Sequence, residues 1–457
     1  MKLKVFLAVL IGKLVRGFCR VVHRGGTGMP GRIALKICPS LLSELAKNTK
    51  CIIITGTNGK TTCTRIVEEG FKKAGLNCFA NRSGANLIEG IATDFIVNSS
   101  LFGKCRYDYA VLETDEAASK KVCLYLNPIV ILVTNLFRDQ VDRFGSVLNT
   151  RDDIIIGIHN APNAIVCLNG DCPVCASIAS EITNRTVFFG IEKEAAEKSR
   201  SSGESDLEGC TCCGGKLEYS YVTFSHLGKY HCSECGFERP DVNYAVLDIL
   251  SQNLSGSRIL LSDNGDVFEL SVNLPALYNI YNAAGSYAAL RECGITRNDA
   301  SVAPAEFSCG FGRMERFEKL GQKGGRMILV KNDAGCNQVL DFLTEVEDSF
   351  VLSIYLNNNI SDGVDISWLD AAQFEVLKSS NVKHIYISGM RRSEMHDRLL
   401  RAGFSDDEMS IVNDARSLVA LLNSSEVPVF IMPTYTGMME ARSEIIRQCG
   451  GSEFWEG

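Results

Sequence analysis

The sequence predicts an α/β protein of two main domains, the first built on a parallel sheet with helices on both faces. Three observations predict it. Short apolar runs alternate with helix-compatible segments from residue 51 to residue 190, a second such alternation begins near residue 327, and a chain of 457 residues with 46% hydrophobic content can fill more than one core.

The chain opens on MKLKVFLAVLIGKLVRGFCRVVHRGG, and residues 1–45 form a basic amphipathic segment. Its apolar run, Val5 to Ile11, is too short to span a bilayer and no small-residue cleavage site follows it. The simpler expectation is a helix packed on the first domain with a solvated Lys/Arg face; the other is contact with an anionic membrane surface.

The next stretch, CIIITGTNGKTTCTRI (51–66), has the order apolar strand, small-residue loop, helix. It departs from the common G-x-x-x-x-G-K-[ST] count, because Gly56 and Gly59 enclose only Thr57 and Asn58. The physical parts of a phosphate loop are nevertheless present. The two glycines allow close backbone approach, the helix start at Lys60, Thr61 and Thr62 offers free N–H groups and a positive charge, and the Thr61 hydroxyl suits Mg²⁺. The residues 56–62 therefore read as an ATP site, with a helix closing at Gly75.

Further strands are expected at 107–113, 128–135, 163–169 and 185–190. In such sheets ligands gather beyond the carboxyl ends of the strands. Glu113, Asp115 and Glu116 stand at one such end and Thr134, Asn135, Asp139 and Asp142 at or beyond the next; carboxylates there can hold Mg²⁺, although each also suits a helix cap or a turn.

From Ile191 to Leu207 the chain turns polar and reads as a linker. It leads to two C-x₂-C pairs, Cys210/Cys213 and Cys232/Cys235, separated by eighteen residues that alternate like a hairpin. That spacing suits a structural zinc ribbon, about 208–240, with Gly214 and Gly236 easing the tight turns. Cys212 and His231 are expected bystanders, and Cys172-Pro-Val-Cys175, with no matching second pair, is expected to be structural. A hairpin turning at Asn264-Gly265 and a helix carrying Asn279 and Asn282 follow, ending near Gly294.

A boundary falls within 310–316, giving a central domain of 46–312 and a C-terminal α/β domain of 313–457, with strands at 327–331, 350–356, 384–389 and 429–433. The net charge of −7 argues against a nucleic-acid-binding protein as a whole. Nineteen cysteines scattered through apolar runs and loops of a large α/β chain fit a reducing cytoplasm better than a disulfide scaffold.

The shortened loop TGTNGKTT resembles that of the Mur ligase superfamily, and other pieces agree in order: LETDEA, VTNLFRDQVDRFG, YNIYNAA and GRMER. The resemblance covers about residues 45–450 and implies a Mur ligase-type central ATPase domain. It also implies Glu113 as the Mg²⁺ glutamate, Asn279 and Asn282 at the adenine, and a nucleotide contact from Arg313. The superfamily's N-terminal domain for the UDP end of a soluble precursor is not expected, since only about 45 residues precede the loop strand.

Together with the four-cysteine insertion and LNNNISDGVDISWLDAAQFE (356–375), the chain looks like the MurT branch, the ligase subunits of lipid II isoglutaminyl synthase. That resemblance implies activation of a D-glutamate α-carboxylate of lipid II as an acyl phosphate. Ammonia comes from a class I glutamine amidotransferase partner (GatD-like) in a heterodimer, and the work is done in the cytoplasm at the inner face of the plasma membrane. Phosphate contacts fall to Asn332 and Asn337, and a third glutaminase group to Asp365. Asp362-Gly363 is a turn pair that leaves Asp365 to project, and a helix cap before Trp368 is its structural alternative. Departures are the lack of any lysine between Lys121 and Lys193 where the superfamily often uses a modified one, Gln140 in place of histidine, and Asp333 in place of proline. Two other readings fit the residues: an amino-acid-adding, folylpolyglutamate synthetase-like ligase, and a non-catalytic zinc-ribbon scaffold.

Overall fold

A computed structural model of the chain describes residues 2–21, 28–81, 86–137, 147–197, 207, 209–253, 255–307, 313–359 and 361–450. Helices α1 (Lys2–Val21), α2 (Met29–Ile37) and α3 (Leu41–Ala46) precede strand β1 (Lys50–Thr55), whose residues beyond Lys50 are all buried. After β1 come α4 (Lys60–Lys73), β2 (Cys78–Ala80), α5 (Ile88–Val97), β3 (Tyr109–Glu113), α6 (Glu116–Leu126), β4 (Val130–Val133), β5 (Ile165–Asn169) and β6 (Thr186–Ile191). Continuous apolar runs such as Cys51–Ile54 and Val130–Val133 suit strands covered on both faces, and these strands pair in parallel.

The ribbon hairpin β7 (Leu217–Phe224) and β8 (Leu227–Cys232) is followed by β9 (Tyr244–Asn253), β10 (Gly256–Asp263) and β11 (Asp266–Val272), and then by the helix Leu277–Glu292. The nine-stranded sheet has the order β11-β10-β9-β6-β5-β4-β1-β3-β2. Strand β1 therefore has β3 on one side and β4 on the other, so the chain reverses its direction of sheet growth beside β1. Parallel sheets open a crevice at the carboxyl ends where that reversal occurs, and the loop of residues 56–59 lies there.

The expected hairpin turn is present, with Asn264 at φ 51° and Gly265 at φ 98°, the two positive values a tight two-residue turn needs. Strands β2 and β9 are additions to the expected set. The segment expected as a linker from Ile191 begins instead with the end of β6 and a short helix, Lys193–Glu197; residues 198–206 lie outside the described residues.

The second sheet comprises β12 (Arg313–Phe317), β13 (Gly325–Ile328), β14 (Phe350–Tyr355), β15 (Val382–Ser388), β16 (Met409–Ile411) and β17 (Val429–Pro433), in the order β12-β13-β17-β14-β15-β16. It is parallel except for the β12–β13 pair, and β12 and β16 are edge strands that sequence reading did not anticipate. Two apolar clusters cover this sheet, one including Leu340, Phe350 and Phe430 and the other Leu418, Ile431 and Ile445.

Candidate active site

The loop between β1 and α4 is shaped by close approach. Gly56 sits at φ +122°, where a Cβ would stand 2.4 Å from Thr134 Oγ1, and Gly59 at φ +86°, where a Cβ would stand 2.1 Å from Asn282 Oδ1. Only glycine fits either place. The end of β4 clamps the loop backbone: Thr134 Oγ1 donates to Asn58 O at 2.7 Å, Asn58 N–H to Asn135 Oδ1 at 3.0 Å, and Phe137 N–H to Thr57 Oγ1 at 3.0 Å. Thr134 and Asn135 thus hold the loop rather than face outward as strand-end ligands. Asp139 and Asp142, and Gln140, lie outside the described residues.

Two side chains expected to share Mg²⁺ are in contact, Thr61 Oγ1 donating to Glu113 Oε2 at 2.7 Å. Glu113 is buried and its backbone is fixed on both sides by Asn81, which accepts from Glu113 N–H at 2.8 Å and donates to Glu113 O at 2.7 Å. Sequence reading missed Asn81, because a lone Asn after a three-residue strand carries no pattern. Lys60 Nζ donates to Glu116 Oε1 at 2.8 Å and Thr57 O at 3.1 Å, and also to Gly56 O. Asp115 caps α6, accepting from Ala117 N–H at 3.1 Å, so of the acidic trio Glu113 and Glu116 face the loop.

The helix Leu277–Glu292 brings Asn279 and Asn282 to the other side of Gly59, joined by an Asn282 Nδ2 to Asn279 Oδ1 bond of 3.2 Å. Both line a cleft with Asn58, Gly59 and Thr62 on one wall and Met314, Ile328, Leu329, Gly335 and Val339 of the C-terminal domain on the other, Tyr278 beside them. Its mixture of apolar walls and paired amides suits a purine. Met314 has φ 59°, a left-handed backbone that a long side chain seldom adopts. Arg313 begins β12, but its side chain is outside the described residues.

Asn332 caps the helix Asp333–Thr344, its Oδ1 accepting from Gly335 N–H at 2.8 Å. Its buried Nδ2 has no protein partner, and neither has Asn58 Nδ2 on the loop, whose side chain faces Gly335. Buried amide donors without partners cost free energy unless something accepts from them, and a phosphate chain between the domains would do so. Asn337 lies on another face of the same helix, where its Oδ1 accepts from Gln373 N–H at 2.8 Å, away from the residues that line the cleft. Asp333 stands at the first helical position, tolerant of proline or aspartate alike.

The four ribbon cysteines come together, with all four sulfurs within 4.8 Å of one another, Cys210–Cys235 at 3.7 Å and Cys213–Cys232 at 3.6 Å. A tetrahedral zinc with Zn–S bonds near 2.3 Å sets sulfurs about 3.8 Å apart, so the set fits the metal. Cys212 N–H and Gly215 N–H point at Cys210 and Cys213 sulfur, 3.4 Å each, as donors to thiolates would. Cys212 is outside the cluster, and His231 is paired with Glu238 instead.

Sequence reading gave no hint of how the ribbon is docked. Asp171 is wholly buried and accepts from Arg239 Nε and Tyr281 Oη, both at 2.6 Å, while Tyr281 Oη also lies 2.7 Å from Thr223 Oγ1 of the hairpin. Burial pushes the Asp171 carboxyl up, against the pull of the Arg239 guanidinium. The hairpin tip, Phe224 to Leu227, is buried in the central domain, with His226 beside Phe137 and its Nε2 3.6 Å from Cys172. Cys172 and Cys175 are both buried there.

In the C-terminal domain, Asp362 is buried and binds Thr436 N–H and Oγ1, both at 2.6 Å, and Gly363 has φ +92°. Asp365 is exposed on this loop, its carboxylate accepting from Ser367 N–H and Oγ at 2.8 Å each. Ser367, not Asp365, occupies the cap position before Trp368.

Comparison with known proteins adds kinship to this geometry. The Mur ligase middle domain family matches residues 54–234 and the MurT ligase C-terminal family residues 329–438. The chain is 34% identical over 97% of both lengths to the lipid II isoglutaminyl synthase (glutamine-hydrolyzing) subunit MurT of Streptococcus pneumoniae strain R6. To the subunit of the same name from Staphylococcus aureus strain COL it is 31% identical, over 98% of this chain and 99% of the other. Among solved structures, a pseudomurein peptide ligase type C from Methanothermus fervidus superposes with a TM-score of 0.67 at 21% identity, covering 87% of this chain and 79% of that one. MurF from Acinetobacter baumannii gives 0.65 at 13%, covering 91% and 81%; at such identities the likeness concerns the fold.

Proposed function

The chain belongs to the MurT family of the Mur ligase superfamily, and from that premise we propose that it is the ligase subunit of a lipid II isoglutaminyl synthase. It uses ATP to phosphorylate the α-carboxylate of D-glutamate in the lipid II stem peptide, ADP leaving. Ammonia then attacks the acyl carbon and phosphate departs, giving D-isoglutamine during peptidoglycan synthesis. The work takes place at the inner face of the plasma membrane, where the lipid-linked substrate is found. The observation that carries this reading is kinship with MurT subunits along 97% of the chain.

The site suits the chemistry. Bound ATP with Mg²⁺ supplies the phosphoryl group and neutralises its oxygens, so positioning and electrostatics account for most of the acceleration. The backbone of Gly56, Thr57, Asn58 and Gly59 would wrap the phosphates, Lys60 would add charge, and Thr61 and Glu113 would hold the metal. Thr62, Asn279 and Asn282 line the adenine side. Asn332 reaches the phosphates from the C-terminal domain, and the family resemblance assigns a nucleotide contact to Arg313. The four ribbon cysteines would hold a zinc, which would organise the hairpin and leave the chemistry to the loop.

The ammonia comes from elsewhere. Cys336 is wholly buried, and burial pushes its thiol up, away from nucleophilic character; Cys309 lies outside the described residues. A class I glutaminase partner in a heterodimer supplies the cysteine and histidine, and Asp365, exposed on a loop pinned by Asp362, orients that histidine. Asp365→Asn, assayed with the partner present, loses glutamine-dependent amidation while amidation driven by free ammonium survives. Equal loss in both assays would place Asp365 in the ligase site or the fold instead.

A further inference from the structure

Helix α1 packs against α2 and α5, with Gly12 against Ala34 and Ile96, and it buries Val5, Ala8, Val9 and Cys19. Beside the exposed Lys2 and Lys4, its outward face also carries apolar side chains that the simpler expectation did not include. Leu3, Leu7, Leu14 and Phe18 are 70%, 40%, 64% and 70% exposed. At 100° per residue these four fall within about 60° of one another, a continuous apolar stripe roughly 22 Å long. Beside it Phe102, 85% exposed, leans on Phe6 with ring centroids 5.8 Å apart.

Charge says what such a stripe meets. No Asp or Glu precedes Glu44, whereas eight Lys and Arg do, in a chain whose net charge is −7. Lys2 and Lys4 are exposed on α1, and Lys104 and Arg106 are exposed just after Phe102. An apolar stripe flanked by cations and lacking any anion matches an acyl boundary beneath anionic headgroups, and no helix among the described residues is long and apolar enough to cross a membrane. A protein partner would need acidic groups around an apolar groove to match the same face as well.

From this we infer that the α1 stripe and Phe102 form a docking face for an anionic lipid bilayer, with the helix lying in the interface plane. The direction of α1 supports the assignment. Val5 lies under Gly103 at the far end of α5, Lys13 Nζ donates to Ser99 O at 2.5 Å, and Arg16 lies near Asp94, so α1 rises alongside α5 toward the carboxyl ends of the sheet. Just before α5, Asn86 O accepts from Asp115 N–H beside Glu113. Docked on the stripe, the Phe18 end brings that rim to the bilayer surface. The inference rests on the lipid-linked substrate for its purpose but not for its observations.

The test is flotation of the full chain with vesicles of mixed phosphatidylcholine and phosphatidylglycerol, lipid II absent. The wild-type chain floats with them, less so at high salt and little with phosphatidylcholine alone. Leu14→Glu/Phe18→Glu and, separately, Phe102→Glu bind at least about tenfold more weakly, because each puts a charge where apolar area is buried. These side chains are exposed, and unchanged ATP binding reports that the fold is intact. A wild-type chain that stays out of the vesicles, or variants that float equally well, overturns the inference. So does a variant that binds vesicles normally but loses its amidotransferase partner or changes its oligomeric mass, since the stripe would then be a protein interface. Vesicle binding without amidation of lipid II would contradict the functional reading and leave the docking face standing.

Discussion

Substituting Gly59 by alanine tests how tightly the nucleotide loop is built. Its φ of +86° costs an alanine roughly 1–2 kcal/mol. The new methyl would also stand 2.1 Å from Asn282 Oδ1, so Asn282 must turn away and lose its 3.2 Å bond to Asn279, about 1 kcal/mol more. A total of roughly 2–3 kcal/mol falls short of unfolding a domain, but it must be recovered whenever nucleotide rebuilds the loop, and ATP binding weakens by about 30- to 150-fold. The control is Gly75→Ala, also at positive φ (+70°) but with nothing within 4 Å of the added carbon. It suffers the backbone cost alone and leaves ATP binding as it was. Calorimetric titration of Mg·ATP into both variants measures this directly. Equal affinities for Gly59→Ala and the wild type would refute the contact between Gly59 and Asn282 as the shape of the site.

Two further perturbations probe parts away from the loop. Cys232→Ser/Cys235→Ser should release the zinc, read by metal analysis of anaerobically purified protein, and lower the melting temperature because the buried hairpin tip loses its anchor; full zinc content in that variant contradicts the ribbon assignment. Asp94, on α5 beneath α1, has its carboxyl pushed up to about 7 by burial, with Arg16 opposing. Its folded pKa lies above the unfolded one, so its contribution is fully present below about pH 4 and is lost as pH rises through 7. Asp94→Asn should therefore raise the melting temperature at pH 8, by the equivalent of at most about 4 kcal/mol, and leave it nearly unchanged at pH 4. Identical pH profiles for variant and wild type would remove that carboxyl from the stability balance.

What could be read in advance was what short segments determine by themselves. The run Cys51–Ile54 is a buried strand wherever it sits, Asn264-Gly265 makes its turn from local backbone preference, and each C-x₂-C knuckle is set by a few residues and a glycine. Strands β2 and β16, three residues each, are too short to carry a period, and they exist because a neighbouring strand offers its edge. The network joining Asp171, Arg239 and Tyr281 spans 110 residues of sequence and no single member announces it. Asn337 shows a different limit. A helix was legible there, but which face meets the cleft depends on how the C-terminal domain is turned, and the structure turns Gly335 and Val339 inward and Asn337 toward Gln373. The N-terminal segment was legible as amphipathic, yet only the packing of α1 reveals that it has two apolar faces and buries one.

A chain that activates a carboxylate of lipid II for amidation must leave its mark on the lipid itself. The most direct measurement incubates the purified chain with lipid II, Mg·ATP and ammonium, and weighs the lipid II recovered. The expected product is about one mass unit lighter, formed with stoichiometric phosphate release and absent from Lys60→Ala. Unchanged lipid II under conditions where the chain still binds ATP would contradict it, as would a product heavier by an added amino acid, which would return the chain to the amino-acid-adding ligases.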